Sequence, residues 1–265
     1  MKDNERKINI DDVLVHSAKF IKDNFIPKKN EESFNIKKKD DKTNVFCIIG
    51  ESGSGKSFLT DKIIEMNLEK NGNKLSKLVY HTTRQMRENE KEGVDYKFTT
   101  NDYFYDNICF DDVIEYREYN VRGQGKVVYF TTKDDLKSDN DAPIICQASP
   151  EQVWKYIDYA KREANIKVYL IRIKTKTSKR LCYLFDRCKN EDQEEEAIRR
   201  FIDERKEFSM NINNIYNYSE SVLEVENTYE KETLDETLLK ISNFILNNWN
   251  WVYSHIIITD YERRK

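Results

Sequence analysis

Eight consecutive residues have the types and the spacing that hold a polyphosphate. They are Gly50, Glu51, Ser52, Gly53, Ser54, Gly55, Lys56 and Ser57, and they fit the pattern G-x-x-x-x-G-K-[ST] at every position. The glycines let the backbone curve around a phosphate that a Cβ would strike. Lys56 is placed to reach the β- and γ-phosphates, and the Ser57 hydroxyl to bind Mg²⁺. The run therefore predicts a loop that binds a nucleoside triphosphate.

The residues on either side of this loop predict the elements that would position it. The apolar run Val45–Ile49 precedes the loop and predicts a buried strand, and Phe58 to Met66 follow with helical spacing. A strand, a glycine loop and a helix in this order aim backbone N–H groups and the positive end of the helix dipole at an anion. A chance glycine turn would share these elements, but not the Lys-Ser pair that ends the pattern.

The rest of the chain alternates between apolar runs and helical segments. Five runs predict core strands: Val45–Ile49, Leu78–His81, Pro143–Gln147, Val168–Ile173 and Ser221–Val225. Because helical segments separate them, we expect an α/β fold with a doubly wound, mainly parallel sheet. The run from Ser149 to Gln152 predicts a helix start with a capping box. Short alternating runs between Tyr96 and Phe130 predict an inserted, mostly antiparallel unit, and residues 178–205 are predicted to be helical.

Composition and charge limit the class of protein. At 265 residues with 38% hydrophobic residues, the chain can bury the core of one α/β domain with insertions. Its 45 basic and 48 acidic residues give a net charge of −3, which argues against nucleic acid as a partner. No apolar run approaches the ~20 residues that span a bilayer, and no signal-type segment follows Met1, so we expect a cytoplasmic protein without a membrane partner. Five cysteines without a C-x-x-C pair favour reduced thiols.

The two ends of the chain differ from its centre. Residues 1–42 are highly charged, but apolar residues from Val13 to Phe25 recur at helical spacing, which predicts one amphipathic helix ended by Pro27. Residues 249–265 form an aromatic and apolar tail. We favour a tail that is buried against the N-terminal helix. An exposed tail would instead be a surface for a protein partner or a homo-oligomer.

A second group of phosphate-binding residue types follows the first. The chain reads H-T-T-R-Q-M-R at residues 81–87 and G-V-D-Y-K-F at residues 93–98. Arg84, Arg87 and Tyr96 could converge on a phosphate monoester, because guanidinium groups match its oxygens. Such arginines more often form surface ion pairs, but the intact phosphate-binding loop upstream favours a second phosphate site.

At these residues the sequence resembles the guanylate kinase family. The resemblance covers residues 44–246 and rests on the phosphate-binding loop, the T-T-R-x-x-R…G-x-D-Y-x-F pattern and V-I-E-Y at residues 113–116. It implies a P-loop kinase of three parts: a nucleotide-binding core, an acceptor-nucleotide-binding insertion at residues 80–132 and a helical lid at residues 178–200. The kinase domain would span residues 43–248, between the charged extension and the aromatic tail.

The resemblance also implies roles for individual residues. The residues at the acceptor phosphate would be Arg84, Arg87, Tyr96 and Tyr129. The residues at the acceptor base would be Tyr80, Glu115 and Thr131, with Glu115 accepting hydrogen bonds from the guanine edge. The residues at the transferring phosphoryl group would be Lys56 and the lid arginines Arg180, Arg187 and Arg200.

Two positions depart from the family pattern. Tyr80 stands where the family usually has a serine that contacts the base. Cys146-Gln147-Ala148 stands where the family has an acidic D-x-D. Glu115 is therefore left with fewer partners for reading guanine, so the acceptor stays open between GMP, dGMP and a related nucleotide.

The chain is rich in phosphate-binding groups and poor in groups that transfer protons. A monophosphate attacks with an anionic oxygen, so its kinase needs only alignment and charge neutralisation. The first hypothesis is an ATP- and Mg²⁺-dependent nucleoside monophosphate kinase. The nearest alternative is a kinase of another phosphate monoester, similar to ribose bisphosphate phosphokinase, which the lost acidic residues favour. The third is a non-catalytic guanylate-kinase-like module that binds proteins, although such modules generally lose the Lys-Ser pair that this chain keeps.

Overall fold

The computed structural model describes residues 42–70, 75–121, 123–137, 142–163 and 165–249. The helix predicted between Val13 and Phe25 and the tail after Trp249 lie outside this part of the chain. A compact unit extends from Asp40 to Ser242, and the described residues 243–249 belong to a second unit. The predicted boundaries at residues 42 and 248 stay predictions.

Strands and helices alternate along most of the described chain. The strands are β1 (Thr43–Ile49), β2 (Ser76–Lys77), β3 (His81–Thr82), β4 (Lys97–Phe98), β5 (Val113–Val121), β6 (Gly125–Thr132), β7 (Ile144–Gln147), β8 (Ile166–Lys174) and β9 (Val222–Glu226). The helices are α1 (Lys56–Lys70), α2 (Asn101–Cys109), α3 (Pro150–Glu163), α4 (Thr177–Phe185), α5 (Glu191–Tyr218) and α6 (Lys231–Trp249).

The central sheet has five parallel strands in the order β2-β7-β1-β8-β9. The residues of β1 from Val45 to Ile49 are completely buried. A strand that is covered on both faces has no polar face, which is why it reads as a continuous apolar run. The predicted α/β fold with a mainly parallel sheet is confirmed.

The prediction of a strand at Leu78–His81 is wrong in its position. The residues that pair with β7 are Ser76 and Lys77 of β2, which precede the predicted run, and His81 begins β3 of a second sheet. Between them, the Leu78 N–H still donates to the Ile145 carbonyl at 2.9 Å. The apolar run therefore crosses from one sheet to the other, and its pattern could not tell which sheet each residue would join.

The second sheet lies within the predicted insertion and has the strand order β4-β3-β6-β5. The pairs β3–β6 and β5–β6 are antiparallel, whereas β3–β4 is parallel, so the sheet is mixed. The insertion also contains α2, which the alternating pattern did not predict. Thr100 caps this helix, its side chain accepting from the Tyr103 N–H at 3.2 Å.

The capping box at the start of α3 is confirmed. The Ser149 hydroxyl accepts from the Gln152 N–H at 3.3 Å, and the Gln152 side chain accepts from the Ser149 N–H at 2.9 Å. The segment predicted as helical over residues 178–205 is divided between α4 and α5. Asn190 begins α5 by accepting from the Gln193 N–H at 3.0 Å, which ends the connection between the two helices.

Two expectations from composition concern the whole chain. The five cysteines are free, as expected for reduced thiols, with Cys47 and Cys146 buried side by side in β1 and β7. In the described part of the chain, no helix combines the length and the apolar character that a bilayer crossing requires.

Candidate active site

The phosphate-binding loop connects the end of β1 to the start of α1. Gly53 and Gly55 have φ angles of 76° and 87°, in the left-handed region that side chains disfavour. A Cβ on Gly53 would lie 2.6 Å from the Arg180 carbonyl oxygen, and one on Gly55 would collide with the Asn227 amide. Both the conformation and the neighbouring residues therefore require glycine. This tight curvature is what a phosphate cradle needs.

Lys56, the first residue of α1, points its ammonium group back at the loop. The ammonium donates a hydrogen bond to the Gly50 carbonyl. Burial lowers the pKa of Lys56, and the Glu204 carboxylate is the largest influence that opposes this lowering. A neutral carbonyl is a weaker acceptor for an ammonium than a phosphate oxygen, so Lys56 can exchange this partner for an anionic ligand.

Ser57 and Gln147 place two oxygen atoms together beside the loop. The exposed Ser57 hydroxyl donates to the Gln147 side-chain oxygen at 2.9 Å. The described residues contain no cluster of three or more His, Cys, Asp or Glu side chains suited to a metal ion. Mg²⁺ commonly takes one or two protein oxygens and completes its shell with water and phosphate. The residues present therefore fit Mg²⁺ that arrives with a nucleotide.

The three predicted lid arginines lie in different surroundings. Arg180 of α4 is 2% exposed; its Nε donates to the Ser52 carbonyl at 3.1 Å, and its Nη1 lies 2.9 Å from the Glu51 carboxylate. Its Nη2 is buried and has no hydrogen-bond partner among the described residues. Arg187 is exposed in the connection before α5, and Arg200 forms an ion pair within α5. The structure thus brings Arg180 to the phosphate-binding loop.

Glu204 of α5 also contacts this loop. Its carboxylate accepts hydrogen bonds from the Ser52 backbone N–H and from the Ser52 hydroxyl. Backbone N–H groups in such a loop are suited to an anionic ligand. The Glu204 carboxylate therefore occupies donors that a phosphate oxygen would otherwise use.

The predicted acceptor-phosphate residues cluster on the second sheet. Arg84 is 3% exposed, and it donates to the Tyr129 hydroxyl at 2.9 Å and to the Glu90 carboxylate at 2.7 Å. The Tyr96 ring centroid lies 5.4 Å both from the Tyr129 ring centroid and from the Arg84 guanidinium carbon. Arg87 is exposed, and its backbone N–H donates to Glu90. Arg84, Tyr96 and Tyr129 are thus brought together, with Arg87 at the edge.

The predicted base residues Glu115 and Thr131 face each other across β5 and β6. Glu115 is 4% exposed, and its Oε1 accepts from the Thr131 hydroxyl at 2.9 Å and from the Gln152 amide at 3.0 Å. The Tyr156 hydroxyl lies 3.0 Å from the Thr131 hydroxyl. Burial raises the pKa of Glu115, whereas Arg117 and the two hydrogen bonds oppose the rise. The carboxylate is held in a fixed position by neutral donors.

Tyr80 connects this cluster to the phosphate-binding loop. Its hydroxyl donates to the Gln147 backbone carbonyl at 2.7 Å, while the Gln147 side chain accepts from Ser57. The Arg117 guanidinium carbon lies 5.9 Å from the centre of the Tyr80 ring. Gln147, at the end of β7, therefore contacts both a loop residue and a residue of the predicted base site.

Three contacts of the site were not predicted from the sequence. Gln152 was identified for its capping role, but its amide also holds Glu115. Arg117 lies two residues after Glu115 in a strand, so the period of two could have placed both on one face. Glu204 offered no signal, because it stands in a helix with many charged residues.

Fold and site together define a class of protein. A parallel sheet with a glycine-rich loop between β1 and the following helix is the architecture of P-loop nucleotide-binding proteins. Within this class, the family model for guanylate kinase matches residues 42–245, and the chain belongs to the guanylate kinase family.

Individual relatives match parts of the chain. The guanylate kinase of Malacoplasma penetrans (strain HF-2) is 29% identical over 136 residues, which is 51% of this chain and 66% of that protein. That of Legionella pneumophila (strain Lens) is 39% identical over 77 residues, or 29% of this chain and 34% of that protein. These matches span about a third to about two thirds of the relatives' own length. A crystal structure of guanylate kinase from Anaplasma phagocytophilum aligns with 79% of this chain and 88% of its own, with a TM-score of 0.48 and 18% identity.

Proposed function

We propose that this chain is an ATP-dependent nucleoside monophosphate kinase that transfers the γ-phosphoryl group to GMP, dGMP or a related nucleotide. Membership of the guanylate kinase family supports a kinase. The observation that carries the proposal is the position of Gln147, which bonds Ser57 of the phosphate-binding loop and Tyr80 of the predicted base site. A triphosphate bound at the phosphate-binding loop and a monophosphate bound at the predicted base site would therefore lie next to each other.

The residues of the triphosphate site and of the acceptor site have complementary roles in the proposed reaction. Lys56 and the loop N–H groups bind the triphosphate, and Arg84 binds the acceptor phosphate. Arg180 Nη2, which has no hydrogen-bond partner among the described residues, would donate to the transferring phosphoryl group. An oxygen of the acceptor phosphate attacks the γ-phosphorus in line, the bond to the β-phosphate oxygen breaks, and ADP leaves. Mg²⁺, held through Ser57, would neutralise charge on the phosphates.

A second candidate is transfer to a phosphate monoester without a base. Gln147 and Ala148 favour it, because they stand where the family has a carboxylate near the base. The Tyr80 hydroxyl favours it as well, because it stands where the family has a base-contacting serine but is hydrogen-bonded to the Gln147 backbone carbonyl. Against it stands the buried Glu115 cluster, which has no evident task for a sugar phosphate. A cytoplasmic location, the lack of nucleic-acid and membrane partners, and a partner or homo-oligomer at the C-terminal tail stay predictions.

The proposal is tested by following ADP release from ATP and Mg²⁺ with a panel of acceptors: GMP, dGMP, IMP, AMP, CMP, UMP and ribose 1,5-bisphosphate. We expect the highest kcat/KM with a purine monophosphate. Turnover of ribose bisphosphate alone would support the second candidate. No turnover of any acceptor would support a protein-binding module.

Replacement of the loop lysine tests whether the assayed activity belongs to this site. Lys56→Ala should lower kcat at least ~10³-fold, because the ammonium stabilises charge that develops during transfer. The matched control is Lys62→Ala, which removes a lysine of the same helix that pairs with Glu65 at 2.9 Å. More than a tenth of wild-type kcat in Lys56→Ala, at saturating ATP, would refute the assignment of the loop.

A further inference from the structure

In the predicted base site, Arg117 and Glu115 form an ion pair that no hydrogen bond joins. They lie two residues apart on one face of β5. The Arg117 Nε forms an ion pair with Glu115 Oε2 at 3.6 Å, which is beyond hydrogen-bond reach, and this buried nitrogen has no hydrogen-bond partner among the described residues. Glu115 uses its other oxygen, Oε1, for Thr131 and Gln152. The Arg117 side chain is 29% exposed, so the pair presents guanidinium N–H groups beside one carboxylate oxygen to which the described residues donate no hydrogen bond.

A purine with an oxygen at position 6 matches this pair. Guanine presents O6 and N7 as adjacent acceptors, and its N1–H and N2 amino group as adjacent donors. Adenine presents an amino donor at position 6, which would face the guanidinium group donor to donor. A site that leaves a buried donor or acceptor unpaired rejects that ligand strongly.

We propose that Arg117 determines the base specificity of the acceptor site by donating to the 6-oxo edge of the purine, while Glu115 accepts from the neighbouring N–H groups. The inference rests on the proposed function and adds a residue to its base site. The Tyr80 hydroxyl does not compete for this role, because it donates to the Gln147 carbonyl. The Tyr80 ring instead lies 5.9 Å from the guanidinium carbon and supports it by a cation–π contact.

A contact with the acceptor phosphate is the competing role. Arg117 is paired across the sheet with Tyr129, whose hydroxyl bonds Arg84 of the phosphate cluster. The ion pair that Arg117 forms, however, is with Glu115 of the predicted base site and not with a residue of this cluster. The geometry thus favours the base, and the two roles predict different selectivity.

The test compares kcat/KM for GMP, IMP and AMP in wild type, Arg117→Met and a control. IMP keeps O6, N7 and N1–H and lacks only the amino group. Arg117→Met should lower kcat/KM about 10- to 100-fold for both GMP and IMP, and change AMP less than about 3-fold. The control is Arg162→Met on α3, which removes an exposed arginine paired with Asp158 at 3.3 Å.

Each other outcome is decisive. An equal loss for all three acceptors would overturn the proposal, because a phosphate contact or fold support does not depend on the base. Arg117→Lys keeps the charge and the packing stem, so full recovery of GMP selectivity would also overturn a role for the guanidinium fork. If Arg117→Met lowers the thermal unfolding midpoint, selectivity is measured on Arg117→Lys, where a lowered GMP-to-AMP ratio is expected.

Calorimetric binding separates this proposal from the proposed function. Wild type that binds GMP and IMP over AMP, with loss of that preference in Arg117→Met, supports Arg117 even if no acceptor is turned over. Wild type that turns over monophosphates with a selectivity independent of residue 117 overturns the proposal and leaves the kinase assignment in place. Wild type that binds no monophosphate overturns both.

Discussion

Arg84 and Arg87 carry the same charge three residues apart, but their surroundings differ. Arg84 is 3% exposed and bonds Tyr129, Glu90 and the Gln85 carbonyl. Arg87 is exposed. The hydrogen bond that Arg84 donates to the Glu90 carboxylate also holds the pKa of Glu90 below its usual range. One arginine is therefore part of the folded framework, and the other is available mainly to a ligand.

This difference predicts unequal costs for the two substitutions. Arg84→Ala should lower the free energy of unfolding by about 2–4 kcal/mol, because it removes a buried guanidinium and leaves the half-buried Glu90 and Tyr129 without its hydrogen bonds. Arg87→Ala should change it by no more than about 0.5 kcal/mol. Both should weaken acceptor binding about 10- to 150-fold while ATP affinity is retained. Urea unfolding and calorimetric titration measure these quantities, and an equal loss of ATP affinity would remove both arginines from the acceptor site.

At the scale of elements, α5 does more than cover the sheet. It is 28 residues long, and Asn190 and an acidic first turn stabilise its start. Glu204 in its middle accepts hydrogen bonds from Ser52 of the phosphate-binding loop. The helix therefore places a negative charge where the site would receive a triphosphate.

Removing this carboxylate should strengthen triphosphate binding. An incoming phosphate must displace Glu204 from two donors, and charge-assisted hydrogen bonds contribute about 1.5–3 kcal/mol. We expect Glu204→Ala to lower the ATP Kd about 5- to 20-fold. The control is Asp203→Ala, which removes a neighbouring exposed carboxylate that pairs with Arg199 at 2.9 Å. Weaker ATP binding in Glu204→Ala would mean instead that Glu204 supports the bound form of the loop.

At the scale of the whole molecule, Asp135 joins three strands of the second sheet. Its carboxylate contacts His81 of β3, Lys97 of β4 and the N–H of Thr132 in β6. Burial raises the pKa of Asp135, but the hydrogen bonds from these three residues outweigh burial and lower the pKa to about 2. The ionised carboxylate thus stabilises the folded sheet.

The lowered pKa predicts a loss of stability in acid. Because the pKa in the folded state lies below its unfolded value of about 3.9, the stabilisation is complete above that value and is lost as the pH falls towards 2. The shift corresponds to about 2–3 kcal/mol. Urea unfolding of wild type and Asp135→Asn should differ by at least that amount at pH 7, and by progressively less between pH 4 and 2. A difference that does not vary with pH would show that Asp135 acts through packing alone.

Local sequence determined the features that depend only on residues close together in the chain. The loop from Gly50 to Ser57, the strand before it and the helix after it were predictable, because backbone curvature, apolar runs and helical spacing are properties of short segments. The capping box of Ser149 and Gln152 was predictable for the same reason. The family resemblance added the residues of the predicted acceptor site, among them Arg84, Tyr96 and Glu115.

Only the tertiary structure decided which distant polar groups meet. Glu204 and Ser52 are 152 residues apart, and Gln152 and Glu115 are 37 apart, and no local pattern links either pair. A charged residue in a helix or strand favours solvent by default, so its partner depends on which elements pack together. The same reason applies to Arg117, whose ion pair with Glu115 could be recognised only once Glu115 and its other partners were placed. Local sequence determined the chemistry of the loop and the strand and helix beside it, whereas packing of the sheets and helices determined the sheet that residues 78–81 join and the partners of the charged groups.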